Sequence, residues 1–455
     1  MPIAVRILLL AAAVSLASAS SAWAGFAPPV TVVSQVDNTD QQVTTEPSGN
    51  SLVSWSQPRQ GNLDDVKARR MTAAGDLGPE LTVAGDGDNF QQSIAFGPGG
   101  RAFAAWRHND SGSGNTSVQG RWIEPDGSLG PVKPIADQDT NTDWVEVRVA
   151  VAGDGVASVF ARDQNNGGGS LFGARRVSAD SSLQTLYTIS GSPTKIEAVG
   201  LPDGSTYTVW REIQAKGVYW PAGTGAPGTP DFVSPVDPNY SAADPQIAAD
   251  PNGNMLVTFR RRNSSADAYG VAGRRIGPTG TLLGSVFLID PEFSNAGTTD
   301  NYMSVNSSGR FLIALGRPEA SKLVVHARVM NPDGTFPAIS QPLSDPNKGS
   351  FPYAVLMTDR GTGAVGWSAF ISMALTQSQG IAVDGSAAPI GGITDLLNAQ
   401  ALGGDDSPSA GVMTIVMRAN FKAGLSDVAV SRYLLEPICA DSSRVARRSG
   451  GRVST

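Results

Sequence analysis

The chain has one cysteine, Cys439, and two histidines, His108 and His326, among its 455 residues. A single cysteine excludes an intrachain disulfide, so stability must come from a packed core. Neither histidine lies in an HExxH pattern and none neighbours Cys439, which leaves zinc sites and nucleophilic triads without support. Only 16% of residues are charged while 40% are apolar, which rules out a disordered polyampholyte. The formal net charge of -7 argues against nucleic acid or an anionic membrane as the main partner. No P-loop or dinucleotide fingerprint opens a helix anywhere. What the chain has in excess is punctuation: 52 Gly and 30 Pro, together close to one residue in five. A mainly helical fold is thereby excluded.

Residues 1–24 carry Arg6, an apolar stretch from Ile7 to Ala17, and the small-x-small signature Ala22-Trp23-Ala24. This reads as a secretory signal peptide cleaved before Gly25, because the apolar run is well short of the roughly 20 residues that span a bilayer. The expected domains are therefore the leader 1–24, one folded unit 25–435, and a flexible tail 436–455. The location is extracellular, with no membrane insertion. The tail carries Arg444, Arg447, Arg448 and Arg452, read as a solvated terminus.

One pattern recurs along the chain. A Gly precedes a large apolar residue by six positions at Gly49 to Trp55, Gly100 to Trp106, Gly204 to Trp210, Gly253 to Phe259, Gly309 to Leu315, Gly361 to Trp367 and Gly411 to Met417. An eighth copy, Gly155 to Phe160, has an offset of five. Turns such as Asp250-Pro-Asn-Gly253 and Pro125-Asp-Gly127 separate the apolar runs, which is hairpin punctuation. Each copy then holds four strands, a to d, in one antiparallel blade. The last copy lacks a clear fourth strand, and an orphan strand, Val30-Thr-Val-Val33, precedes the first. The fold class expected is all-β: an eight-bladed β-propeller closed by its N-terminal strand. Seven blades is the alternative if the fourth copy, with its odd Pro221 to Pro230 stretch, is aberrant. Over Gly25 to about Leu435 the chain resembles the broad group of exported bacterial propeller-repeat proteins with Asp-Pro-x-Gly turns and Ala-Arg-Arg strands. That resemblance implies a fold and export, and no activity. The sialidase Asp-box pattern does not fit, since there the aromatic follows the Gly by three.

The large repeat residue should pack between blades. The third-strand arginines (Arg69, Arg121, Arg175, Arg274, Arg328, Arg432) should each make one ion pair per blade with the Asp-rich loops. Tight turns share one face of the ring and the longer b–c and d–a loops the other, so the second face is the candidate binding surface. Its candidate residues are Arg107, Asp110, Arg162, Asp163, Arg211, Arg260 and Asp267. Asp137-Gln-Asp139-Thr-Asn141-Thr-Asp143 places oxygen ligands at alternate positions and makes Ca²⁺ a candidate cofactor, with an ordinary Asx-rich loop as the alternative. The functional expectation is a non-catalytic propeller binding a glycan or an extracellular protein. The alternative is a carbohydrate-active hydrolase or lyase using Asp residues at the channel mouth.

Overall fold

In the computed structural model, residues 25–434 are described except 37–38, 60–62, 110–115, 138–142, 165–169, 190, 192, 267, 292, 295–299, 320–321, 373–374, 398 and 423–424. The leader and the tail lie outside the described residues.

Eight antiparallel sheets follow one another around a ring. Their inner a strands are Thr39–Thr45, Asp88–Phe96, Trp144–Val151, Thr194–Gly200, Tyr240–Ala249, Asn301–Val305, Ser350–Met357 and Ala399–Ser407, for blades 1 to 8. Blade 4 is complete despite its proline-rich stretch; its outer strand is only Asp231–Phe232. In blade 8 the c strand, Leu425–Leu434, pairs with Val30–Val36, which supplies the missing outer strand. The ring is thus closed by its own N-terminal segment, and the seam leaves no open edge.

The turn glycines are required by backbone geometry. All eight repeat glycines, Gly49 through Gly411, hold φ between 66° and 89°, a region that side-chain-bearing residues adopt at a cost. Beyond each, the b strand alternates its side chains between the two neighbouring blades. Trp55 packs backward with Val416, Val428 and Val430 of blade 8, and Trp106 packs backward with Leu52 and Val66 of blade 1. Both are fully buried, as are Trp210 and Trp367. The copy with the offset of five departs from this rule. Phe160 packs forward against Trp210 and Trp220 of blade 4, and Ala161 takes the backward position facing Phe103 and Trp122. One residue of offset inverts the face, as the period of two demands.

The expected ion pair per blade is not what the third-strand arginines make. Arg121 donates from Nε to Gly130 O at 2.7 Å and from Nη1 to Val83 O of the preceding blade at 3.1 Å. Arg175 likewise reaches Gln184 O at 2.8 Å and Ile135 O at 3.0 Å. Arg69, Arg274 and Arg328 also bind carbonyls of their own blade and of the outer strand before it. The second arginine of each doublet lies on the opposite face and reaches forward. Arg70 binds Gly100 O and Glu124 O, both at 2.9 Å, Arg176 binds Trp220 O at 2.9 Å, and Arg275 binds Pro332 O at 2.6 Å. Arg432 belongs to this forward set, donating to Gly49 O and Thr72 O across the seam. The physical reason is that turns and short outer strands leave carbonyls unpaired, and a planar guanidinium with five donors satisfies several at once.

Candidate functional site

The inner strands carry the polar chemistry. Each leaves an unpaired row of N–H groups toward the axis, and side chains of the preceding blade cap some of them. Asp40 Oδ2 accepts from Gln91 N at 3.1 Å, Ser93 Oγ from Val149 N at 3.1 Å, and Glu146 from Lys195 N and Ile196 N at 3.2 and 2.8 Å. Asp405 Oδ2 accepts from Thr45 N at 2.5 Å across the seam. Much of the acid in the channel is therefore structural.

At the d–a end of the channel, seven of the eight inner strands shift register on entry. In four of these bulges sits a non-glycine residue with positive φ: Asp40 (55°), Gln91 (50°), Lys195 (55°) and Asp244 (48°). Bulges re-aim side chains, and strained backbone of this kind gathers at functional sites. Asp40, Gln91 and Lys195 are exposed and Asp244 half-buried. Tyr302 and Tyr353, half-buried with ring centres 6.2 Å apart, stand deeper in the channel. Across from them Arg148 reaches Glu197 at 3.4 Å. Burial raises the Asp300 carboxyl above the usual range, and the neighbouring Asp244 charge raises it further. Burial likewise raises both tyrosine hydroxyls, with the Asp300 charge adding to it. Toward the a–b turns at the other end of the channel, Asp405 is pushed up to about 6 by burial, and Asp406 well above its ordinary value by burial and the Asp405 charge. Asp406 Oδ2 accepts from Ser304 Oγ at 2.5 Å.

The residues expected on the b–c and d–a face fall into two groups. Arg107 is buried, reaching Asp143 Oδ1 at 3.0 Å and Gln91 Oε1 at 2.7 Å. Asp163 is fully buried and accepts from Asp143 N at 2.6 Å. Arg162 lies 3.6 Å from Glu146, and Arg260 3.1 Å from Asp244. These four hold strand ends and loops together. Arg211 is exposed, and with Thr194, Glu212 and Ile213 it lines a hollow of about 500 Å³ beside Lys195. Asp110, Asp267, Asp139 and Asn141 lie outside the described residues. Asp137 is exposed, and Asp143 is bound by Arg107 and Thr116. Among the described residues no cluster of three or more His, Cys, Asp or Glu side chains is arranged to hold a metal ion. Sequence spacing did not reveal the inner-strand bulges, because nothing in Gln-Gln or Asp-Pro marks an extra residue.

A larger cavity lies elsewhere. A funnel of about 1210 Å³ opens on the opposite face, between the tight turns, lined by Val149, Ala150, Val151, Ala198, Val199 and Val305 among others. Its three lining carboxylates are all spent on turns: Glu46 on Ser48 Oγ at 2.6 Å, Asp250 on Asn252 N and Asn254 N at 2.8 and 2.9 Å, and Asp359 on Ser307 N at 2.7 Å. The polar chemistry at the d–a mouth outweighs the size of the funnel as a sign of ligand recognition. The turns around the funnel expose Asp76, Asp126, Asp154, Asp180, Asp203, Asp333 and Asp359, against one exposed cation, Arg360. Hydrogen bonds from nearby N–H and hydroxyl groups hold the Asp126, Asp180 and Asp333 carboxyls below the usual range, so they stay ionised.

No protein-family model matches the chain, and no curated protein matches it. Solved β-propeller structures are similar at the level of the fold. An ulvan lyase bound to a sulfated oligosaccharide is similar over 90% of this chain and 96% of its own, at 11% identity and a TM-score of 0.48. An α-L-arabinofuranosidase of Fusarium graminearum in complex with arabinobiose is similar over 90% and 98%, at 10% identity and a TM-score of 0.44. The propeller domain of the Trilobed protease from Pyrococcus furiosus is similar over 80% and 98%, at 10% identity and a TM-score of 0.42. The chain's own sheet order defines the class, an all-β propeller of eight blades.

Proposed function

We propose that the protein is an exported, non-catalytic propeller that binds a glycan at the d–a mouth of its channel. The observation that carries this reading is the mouth itself, where strained bulges present Asp40, Gln91, Lys195 and Asp244 above Tyr302 and Tyr353. Carboxylate, amide and ammonium groups around two phenol rings are the donors, acceptors and flat apolar faces that a hydroxyl-rich chain requires. The mouth acids are largely committed to backbone N–H groups and arginines, which argues against a two-carboxylate hydrolase. One observation favours a catalytic reading: Asp300, with its raised pKa beside Asp244 and Tyr302, has the character of a proton carrier for a hydrolase or lyase.

A glycan array read beside a screen of polysaccharide cleavage separates the two. The expected result is binding without cleavage, weakened at least tenfold by Tyr353→Ala or Lys195→Ala and unchanged by Arg360→Ala on the other face. Cleavage that disappears in Asp300→Asn overturns the non-catalytic reading. Binding to extracellular proteins but to no glycan overturns the ligand class.

A further inference from the structure

The arginines of the d–a mouth are matched by acids, except in one sector. Arg107 lies against Asp143, Arg148 against Glu197, Arg162 against Glu146 and Arg260 against Asp244, at 3.0 to 3.6 Å. In blade 4, Glu212 accepts from Trp210 Nε1 at 3.1 Å and pairs with Lys216 Nζ at 2.8 Å. Two exposed cations of that blade remain. Among the described residues, neither the Lys195 ammonium nor the Arg211 guanidinium has an acceptor or an anionic partner.

The fold makes these two cations neighbours. Thr194 is the Cα partner of Arg211, and Lys195 is the extra residue of the bulge, before Ile196 pairs with Trp210. Its φ of 55° is held by Glu146, which accepts from Lys195 N and Ile196 N at 3.2 and 2.8 Å and lies against Arg162. A nearby acid that could have neutralised the ammonium is thus spent on the backbone of the bulge. The Lys195 charge is felt at the Asp300 carboxyl, so the ammonium lies toward the channel. Arg211 lines the hollow of about 500 Å³ with Thr194, Glu212 and Ile213, and Ile213 is 77% exposed.

We infer that the glycan is an acidic one, and that a carboxylate or sulfate on one of its sugars sits between Lys195 and Arg211 at this hollow, with the sugar ring against Ile213. The inference rests on the reading of the d–a mouth as a glycan site. A guanidinium offers either anion a planar fork, and an ammonium offers it a point charge. On a chain of formal net charge -7, two unmatched cations at the mouth set the local sign against that of the whole molecule. A neutral sugar leaves both cations to water, so the anionic group supplies selectivity.

Calorimetric titration of the full chain with four probes tests this: oligogalacturonate, its uncharged methyl ester, sulfated dextran oligosaccharide and plain dextran oligosaccharide. Arabinan, xylan and mannan oligosaccharides extend the neutral set. At least one acidic probe should bind at least tenfold more tightly than every neutral one, and which of the two does so distinguishes carboxylate from sulfate. Arg211→Ala should weaken that binding about tenfold at an unchanged melting temperature, since the guanidinium holds nothing in the free protein. Neutral probes that bind as tightly as the acidic ones overturn the inference and leave the glycan reading standing. Acidic binding that is indifferent to Arg211→Ala likewise overturns it, by placing the anion elsewhere. Failure of every oligosaccharide to bind overturns both.

Discussion

Asp405 and Asp406 show how one residue serves the ring and penalises it at once. Asp405 caps Thr45 N at the seam, and Asp406 accepts from Ser304, yet both carboxyls are raised, Asp405 to about 6. For an acid raised above its unfolded value of ~3.9, the unfolded chain ionises first, so stability falls as pH climbs from about 4 through 6 and beyond. His326, depressed by burial, has the opposite slope, losing stability as pH falls below about 6.5. The comparison that isolates the pair is therefore a difference. The melting temperature of Asp406→Asn should exceed that of the unaltered protein at pH 7.5 and match it at pH 4, and an equal gap at both would contradict the account. Arg176 gives a second test at this scale. Its guanidinium binds three carbonyls of the next blade, at 2.6, 2.7 and 2.9 Å, and lies 4.4 Å from the Trp220 ring. Lysine keeps the charge and loses the fork, so Arg176→Lys should cost about 2 kcal/mol in denaturant unfolding. A loss below about 0.5 kcal/mol would reduce the carbonyl staple to decoration.

The strand Val30–Val36 is the element on which closure depends. It pairs with Leu425–Leu434 and places Val32 in the core between blades 8 and 1. Deleting it should expose an open edge and make the protein aggregate more readily, read by light scattering during heating. Unchanged scattering and melting would show that the clasp is dispensable. Strands, turns and this clasp were legible in the sequence because each follows from a local rule: glycine at positive φ, alternation, an orphan strand matched to an incomplete blade. The third-strand arginines misled because sequence shows charges but not carbonyls, and unpaired carbonyls are what they satisfy. Phe160 misled because size was taken as the mark of equivalence where parity along the strand decides. The bulges that shape the mouth depend on how eight inner strands converge, a property of the closed ring and of no single strand.

At the scale of the molecule the ring has two unlike ends. One is a wide, largely apolar funnel on the face whose turns carry exposed aspartates; the other is polar, with Tyr302 and Tyr353 below its mouth. Repetition builds the scaffold, and departures from it at Asp40, Gln91, Lys195, Asp244 and Asp300 supply the chemistry. The central claim is that ligand enters at the polar end. Hydrogen exchange of the full chain, with and without the strongest glycan found on the array, tests it most directly. Protection confined to the backbone of 300–305, 350–354 and 194–197 is the predicted result. Protection at 149–153 and 198–202, with the polar mouth unchanged, would contradict it.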